Sequence, residues 1–299
     1  LALLGARRRW PAVGDAHTLA ALREALTSRL GDAELAVEVL SSLLQVGPAV
    51  VRERAHAGVE SNDALRTRAH EVAARLEQGM PLAYATGTAA FRYLELMVDD
   101  RVLIPRPETE MVVEHALRVC ADRPGGVAVD IGTGSGAIAL SLASEGHFDR
   151  VIATDVSRDA LDVARANADR VAGALRCPVE FRLGADLAPV AGERVRLLVS
   201  NPPYIAHDEA DALPAAVRDW EPVTALFAAD EGMARYAALV AAAPAVLEPG
   251  GWLVFECDAR RAGRVAALFD AAAMWGEVGV ECDLAGRERV CGGRYGARA

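Results

Sequence analysis

The sequence predicts an α/β protein. Its sheet is Rossmann-like, mostly parallel with a C-terminal antiparallel hairpin, and a small helical domain precedes it. Three observations carry this expectation. From residue 127 onward, short apolar runs alternate with Ala-rich periodic segments, the pattern of a parallel sheet covered by helices on both faces. A glycine-rich turn, Gly132-Thr133-Gly134-Ser135-Gly136, follows the first of those runs. Residues 18–80 show helical periodicity and no strand pattern.

The elements follow in order. Leu19, Leu22, Leu26 and Leu30 recur at helical spacing, as do Leu65, Ala69, Val72 and Leu76. Gly47-Pro48 and Gly79-Met80-Pro81 punctuate these helices. Residues 1–85 are therefore read as a small helical domain. Residues 86–106 change character. Leu94, Leu96 and Val98 alternate, and Val102-Leu103-Ile104 follows Asp99-Asp100, which predicts a β-hairpin linker that turns at the two aspartates. Pro107 then opens a helix whose positive end suits Glu108 and Glu110. Residues 107–299 form the ligand-binding domain. Its strands are expected at Val127–Ile131, Val151–Asp155, Val179–Leu183, Arg196–Ser200 and Trp252–Glu256, with a closing hairpin of Glu277–Asp283 and Arg289–Gly293.

Composition excludes several chemistries. The chain has 299 residues and contains no lysine, so all 32 basic residues are arginine. Schiff-base and P-loop lysine chemistry are thereby closed. The net charge of −10 weighs against a nucleic-acid partner, which calls for a basic surface, and suits a basic protein partner. Cys120, Cys177, Cys257, Cys282 and Cys291 form no C-x-x-C pair. That spacing points to free thiols in a reducing compartment, the cytoplasm, and to no metal site. The apolar run Ala237–Leu247 is broken by Pro244 and falls short of the ~20 residues of a membrane span. Arg7, Arg8 and Arg9 precede no apolar stretch of signal-peptide length. The first residue, Leu1, suggests that the natural start lies elsewhere.

The glycine turn is the first candidate site. Glycines let the backbone turn tightly and approach a ligand, and the helix that follows presents unpaired N–H groups. An acidic residue is expected ~20 positions on, at the end of the second strand, to hold ribose hydroxyls. Asp155 stands there. Gly132, Gly134 and Ala137 also fit the G-x-G-x-x-G/A dinucleotide fingerprint, so a nicotinamide dehydrogenase is a rival at this point. Asp130 tilts the balance. A carboxylate at the strand end repels a pyrophosphate but suits the cationic methionine end of S-adenosyl-L-methionine, directly or through water.

The second candidate is Asn201-Pro202-Pro203-Tyr204, directly after the fourth strand and so at the carboxyl edge of the sheet, where ligands bind in such folds. An amide or amino nitrogen is a poor nucleophile because its lone pair is delocalised. The Asn201 side-chain oxygen and the Pro202 carbonyl can each accept one N–H of an –NH2 group and aim the lone pair at a methyl donor. Two prolines stiffen the loop and reduce the entropy lost on binding. The Tyr204 ring can pack on a planar substrate. No general base is required, because the nitrogen can lose its proton after transfer. Asp208 and Glu209 are read as surface charges.

Together these residues resemble the HemK-type (PrmC) release-factor glutamine methyltransferases. The resemblance runs from about Pro81 to Gly293. It includes Pro81-Leu82-Ala83-Tyr84, Leu103-Ile104-Pro105-Arg106-Pro107-Glu108-Thr109-Glu110, Asp130–Gly136, Ser200–Ile205, Val217-Arg218, Glu221-Pro222, Ala225-Leu226 and Asp230-Glu231-Gly232. It implies a class I S-adenosylmethionine-dependent methyltransferase fold and N5-methylation of the glutamine in the Gly-Gly-Gln motif of peptide-chain release factors. On that resemblance Asp130, Gly132, Thr133, Gly134, Ser135 and Gly136 contact the cofactor and Asp155 holds its ribose. Asp186 and Leu187 border its adenine. Asn201, Pro202, Pro203 and Tyr204 grip the glutamine, with Asn201 also beside the cofactor. Two departures stand out: Asp32-Ala33-Glu34-Leu35 only faintly echoes the family's N-terminal pattern, and Glu256-Cys257-Asp258 replaces Glu-(apolar or His)-Gly. The first keeps a small-molecule amide or amine open as acceptor. Adenine N6 is the third alternative, since Asn-Pro-Pro-Tyr also serves planar –NH2 groups of bases.

Overall fold

The computed structural model describes residues 17–296; the reading of Arg7–Arg9 falls outside the described residues. The chain divides into two units, one ending at Gly87 and the other beginning at Thr88.

In the first unit, polar side chains start the helices where the periodicity places them. Thr18 caps α1 (Leu19–Leu30), Asp32 caps α2 (Ala33–Leu44) and Asn62 caps α4 (Asp63–Leu76), each accepting from backbone N–H groups of the first turn. Between them, Pro48 opens α3 (Pro48–His56). The short α5 (Leu82–Thr86) ends the unit. Leu19, Leu22, Leu26, Val37, Leu40, Val51, Ala69 and Val72 form its core. Among the described residues no single helix is long and apolar enough to cross a membrane; α2 and α3 pass that test only as a pair bent by 98°.

The second unit opens with a hairpin, β1 (Thr88–Phe91) and β2 (Leu94–Met97). This corrects the expected turn at Asp99-Asp100. The turn is at Arg92-Tyr93, with Arg92 at φ +52°. The Arg92 backbone N–H donates to Glu110 at 2.8 Å and its guanidinium holds both Glu145 oxygens at 2.6 Å. At Asp99 the chain makes a separate tight turn, with Val102 N donating to the Asp99 carbonyl. Val102 and Ile104 are then buried one by one, in irregular backbone rather than in a strand. Their apolar character is a wall, not a ladder.

Beyond the hairpin come α6 (Pro107–Val119), β3 (Val127–Ile131), α7 (Ala137–Glu145), β4 (Arg150–Asp155), α8 (Arg158–Arg170), β5 (Val179–Leu183) and β6 (Val195–Ser200). Two short helices, α9 (Ala215–Arg218) and α10 (Val223–Leu226), lead to α11 (Ala234–Ala242), β7 (Leu247–Glu256), α12 (Ala262–Ala271), β8 (Trp275–Cys282) and β9 (Glu288–Tyr295). The sheet order is β5-β4-β3-β6-β7-β9-β8. β3 to β7 pair in parallel, and β9 inserts antiparallel between β7 and β8. Successive side chains leave a strand on opposite faces. Ala128, Ala153, Val199 and Val254 therefore pack with α6 and α7. Val129, Ile152, Leu198 and Leu253 pack with α11 and α12 on the other face.

Asn167 ties the hairpin to the sheet. It lies on the apolar face of α8, in line with buried Ala160 and Ala164, and is itself fully buried. Its amide exchanges two hydrogen bonds with the Met97 backbone, 2.7 and 2.9 Å, and donates a third to the Ser135 carbonyl at 2.9 Å. An unsatisfied buried backbone group costs about 1–3 kcal/mol. Asn167→Ala is expected to destabilise the chain by about 3 kcal/mol in urea titration; a loss below about 0.5 kcal/mol would show that water replaces the amide.

Candidate active site

The parallel pairing of β3 with β6 sets Ile131 opposite Ser200, and Ser200 Oγ donates to the Ile131 carbonyl at 2.8 Å. The next residue on each strand, Gly132 and Asn201, thus leaves the sheet at the same edge. Both border a cavity that opens to solvent.

The glycine turn is braced from below and beside. Gly132 N and Thr133 N both donate to the Thr154 carbonyl at 2.9 and 2.8 Å. Gly134 N donates to Asp155 Oδ2 at 3.0 Å, while Ser157 N donates to Asp155 Oδ1 at 2.9 Å. Gly132 and Gly134 have φ of +75° and +53°, and a Cβ on either would meet no atom within 4 Å. Their bare backbone therefore edges open space, as a close-fitting ligand requires. Gly136 differs: a Cβ there would stand 3.1 Å from Leu140 and 3.3 Å from Ala164, so it is small for packing.

Among the expected site residues, Gly132, Gly134, Asp155, Asp186, Asn201, Pro202 and Pro203 line the cavity together. Thr133, Ser135 and Leu187 are buried behind it. Tyr204 is half-buried and packs against the core beside α11 and α12. Burial, with the charges of Glu256 and Asp258, pushes its hydroxyl well above the usual phenol range. Its backbone is locked: a Cβ at Gly232 would lie 2.0 Å from the Tyr204 carbonyl oxygen. Ile205 next to it bridges to Phe227.

Asp130 requires a correction. No part of it reaches the surface, so it cannot touch a ligand directly. Its Oδ2 accepts from Thr133 Oγ1 at 2.6 Å and from Ala139 N at 3.1 Å. It holds the glycine turn onto the first turn of α7. Burial pushes its carboxyl up to about 7, against the pull of these two hydrogen bonds. Glu209 also departs from the surface-charge reading. It accepts from Ala206 N and from buried Arg261, and it is held below the usual carboxylate range by Ala206, Arg261 and Arg260 against desolvation. Asp208 is exposed.

Several residues to which the sequence reading gave no role in the site also shape it. Arg235 of α11 donates to Asp186 Oδ1 at 2.6 Å on the cavity wall. Asp186 itself sits at φ +50°, a region aspartate tolerates better than most residues. Arg106 pairs with Glu221, which is buried and raised by desolvation. That pair anchors Pro222, whose neighbours Thr224 and Ala225 complete the wall. Thr109 and Glu256 stand behind Asn201. No motif rule flags an isolated arginine on a helix. The buried Glu256, by contrast, was visible as a charge ending an apolar strand.

Residues 109–218 match the family described as the methyltransferase small domain. A release factor glutamine methyltransferase of Enterococcus faecalis is 42% identical over 217 residues, 73% of this chain and 76% of that one. Its counterpart in Chlorobaculum tepidum is 45% identical over 204 residues, 65% of this chain and 68% of that one. The chain belongs to the release factor glutamine methyltransferase family. The crystal structure of a methyltransferase from Pyrococcus furiosus superposes with a TM-score of 0.52 at 19% identity, over 74% of this chain and 96% of that one, which shows a shared fold. Membership in this family makes the chain an S-adenosyl-L-methionine-dependent enzyme, and the nicotinamide reading falls.

The buried Asp130 has a consequence for stability. Its folded pKa of about 7 exceeds the ~3.9 of a free aspartate, so the folded chain holds a proton that the unfolded chain releases. Its contribution is full below pH ~4 and is lost as pH rises through 7. Glu256, also raised to about 7 by burial, acts in the same sense. The melting temperature is expected to fall between pH 5.5 and 8, and Asp130→Asn should flatten that fall by about half. A slope identical to that of the parent chain would contradict the buried titration.

Proposed function

We propose that this chain transfers the methyl group of S-adenosyl-L-methionine to the side-chain nitrogen of the glutamine in the Gly-Gly-Gln motif of peptide-chain release factors, in the cytoplasm. One observation carries the reading: Asn201 and Pro202 share a cavity with the open glycine backbone and Asp155. A donor seated on Gly132 and Gly134 and an amide held by Asn201 would then meet within one cleft.

The residues present fit that donor. Asp155 has lone pairs left after accepting from Gly134 and Ser157 and can take ribose hydroxyls. Asp186 borders the adenine, with Leu187 packed behind it. When bound, the donor would supply an electrophilic sulfonium methyl to the amide nitrogen, whose proton would pass to solvent. The chain itself supplies orientation. The Asn201 oxygen and the Pro202 carbonyl each accept one amide N–H, which turns the nitrogen lone pair toward the methyl. Pro202 and Pro203 keep the loop rigid, and the Tyr204 backbone behind them packs closely against Gly232. The N-terminal helical unit docks the release factor.

Radiolabelled S-adenosyl-L-methionine, offered with release factor, small-molecule extract and RNA in separate reactions, tests this. Label is expected in the release factor; label only in the extract or the RNA would replace the acceptor with one of the two alternatives. Asn201→Ala is expected to lower transfer at least about 100-fold with an unchanged melting temperature, and near-parent turnover would remove Asn201 from the mechanism. Asp155→Ala is expected to weaken cofactor binding by about tenfold or more in calorimetry; equal affinity would free Asp155 of the ribose role.

A further inference from the structure

The segment Arg106-Pro107-Glu108-Thr109-Glu110 is prominent in the sequence, yet none of it lines the cavity. Arg106 caps α6 and pairs with Glu221. Glu110 holds the hairpin turn through Arg92 N. Thr109 points elsewhere. It is buried at 4% exposure in the first turn of α6, and its hydroxyl donates to Glu256 Oε2 at the end of β7. Thr109 Oγ1 in turn accepts from Asn201 Nδ2 at 3.3 Å.

A hydroxyl has one proton to give. With that proton given to Glu256 Oε2, Thr109 Oγ1 can only accept from Asn201. The NH2 end of the Asn201 amide therefore faces Thr109. A flipped amide would set two acceptor oxygens against each other in a buried site, and would leave Thr109 and the amide unsatisfied. The Asn201 oxygen is thus left as the end available to a substrate N–H. Glu256 is itself 3% exposed, and its backbone carbonyl accepts from Tyr236 Oη at 2.9 Å, so the far end of the chain of bonds is anchored in the core.

We propose that Glu256 and Thr109 are positioning residues for the reaction: the bonds Asn201 Nδ2–H to Thr109 and Thr109 O–H to Glu256 set which end of the Asn201 amide faces the substrate. This rests on the proposed role of Asn201 toward an amide. It gives the buried Glu256 a function, and it assigns a role to the threonine of the Arg106–Glu110 segment.

The test uses the full chain and two readouts. It contains three asparagines, Asn62, Asn167 and Asn201, so ¹⁵N-asparagine labelling yields three side-chain amide pairs, with Asn201 identified by Asn201→Ser. Thr109→Val removes the hydroxyl and keeps the shape; Thr109→Ser restores it. In Thr109→Val the Asn201 amide protons are expected to exchange with water at least about fivefold faster and kcat for the release factor to fall about tenfold or more, with cofactor affinity unchanged. Thr109→Ser should return both to the parent values. Should Thr109→Val fail to fold, Glu256→Leu against Glu256→Gln poses the same contrast, since only glutamine keeps an acceptor for Thr109. Unchanged Asn201 exchange in the hydroxyl-less variant, or a kcat within about twofold of the parent, would overturn the proposal. If the parent chain does not label the release factor, the acceptor reading falls, and the exchange measurement still decides the orientation.

Discussion

The parallel pairing of β3 with β6 is the contact on which the site depends. Ile131 lies opposite Ser200, and the serine hydroxyl closes onto the Ile131 carbonyl. Because parallel strands point the same way, their carboxyl ends deliver two separate loops to one edge. The first brings bare backbone and open space, at Gly132 and Gly134. The second brings acceptors, at Asn201 and Pro202. Neither loop is a methyl-transfer site alone. Shifting one strand by one residue would turn every side chain to the other face and separate the two.

Each loop rests on a buried carboxyl. Asp130 lies under the glycine turn, bonded to Thr133 and Ala139. Glu256 lies behind Asn201, bonded to Thr109. Burial costs both groups, which is why each is pushed up to about 7. The gain is geometric: a buried acceptor fixes the direction of its donors more tightly than a solvated one. The same economy recurs at Asn167, which spans the β1–β2 hairpin and the Ser135 carbonyl from inside α8. Stability and precision are thus traded at a few fully buried polar side chains, while the cavity wall is mostly backbone, proline and small side chains.

Much of this was legible in the sequence because it depends on local chemistry. Alternation located the strands, positive-φ turns demanded glycine at 132 and 134, and two prolines marked the rigid loop at 202–203. Three things were not legible. The β1–β2 turn lies at Arg92-Tyr93 because Glu110 and Glu145, far along the chain, satisfy it; no local turn residue announces that. Asp130 reads as a ligand because a carboxylate at a strand end usually faces out, and only the packing of α7 over it decides otherwise. Arg235 meets Asp186 across 49 residues, a pairing that helical periodicity cannot supply.

The account stands or falls on whether donor and acceptor converge between the ends of β3 and β6. A crystal structure with S-adenosylhomocysteine and a Gly-Gly-Gln peptide measures this directly. It should place the cofactor against Gly132, Gly134 and Asp155, with the glutamine amide nitrogen within hydrogen-bond distance of both Asn201 Oδ1 and the Pro202 carbonyl. A glutamine side chain bound away from Asn201, or a cofactor seated clear of the glycine turn, would contradict it.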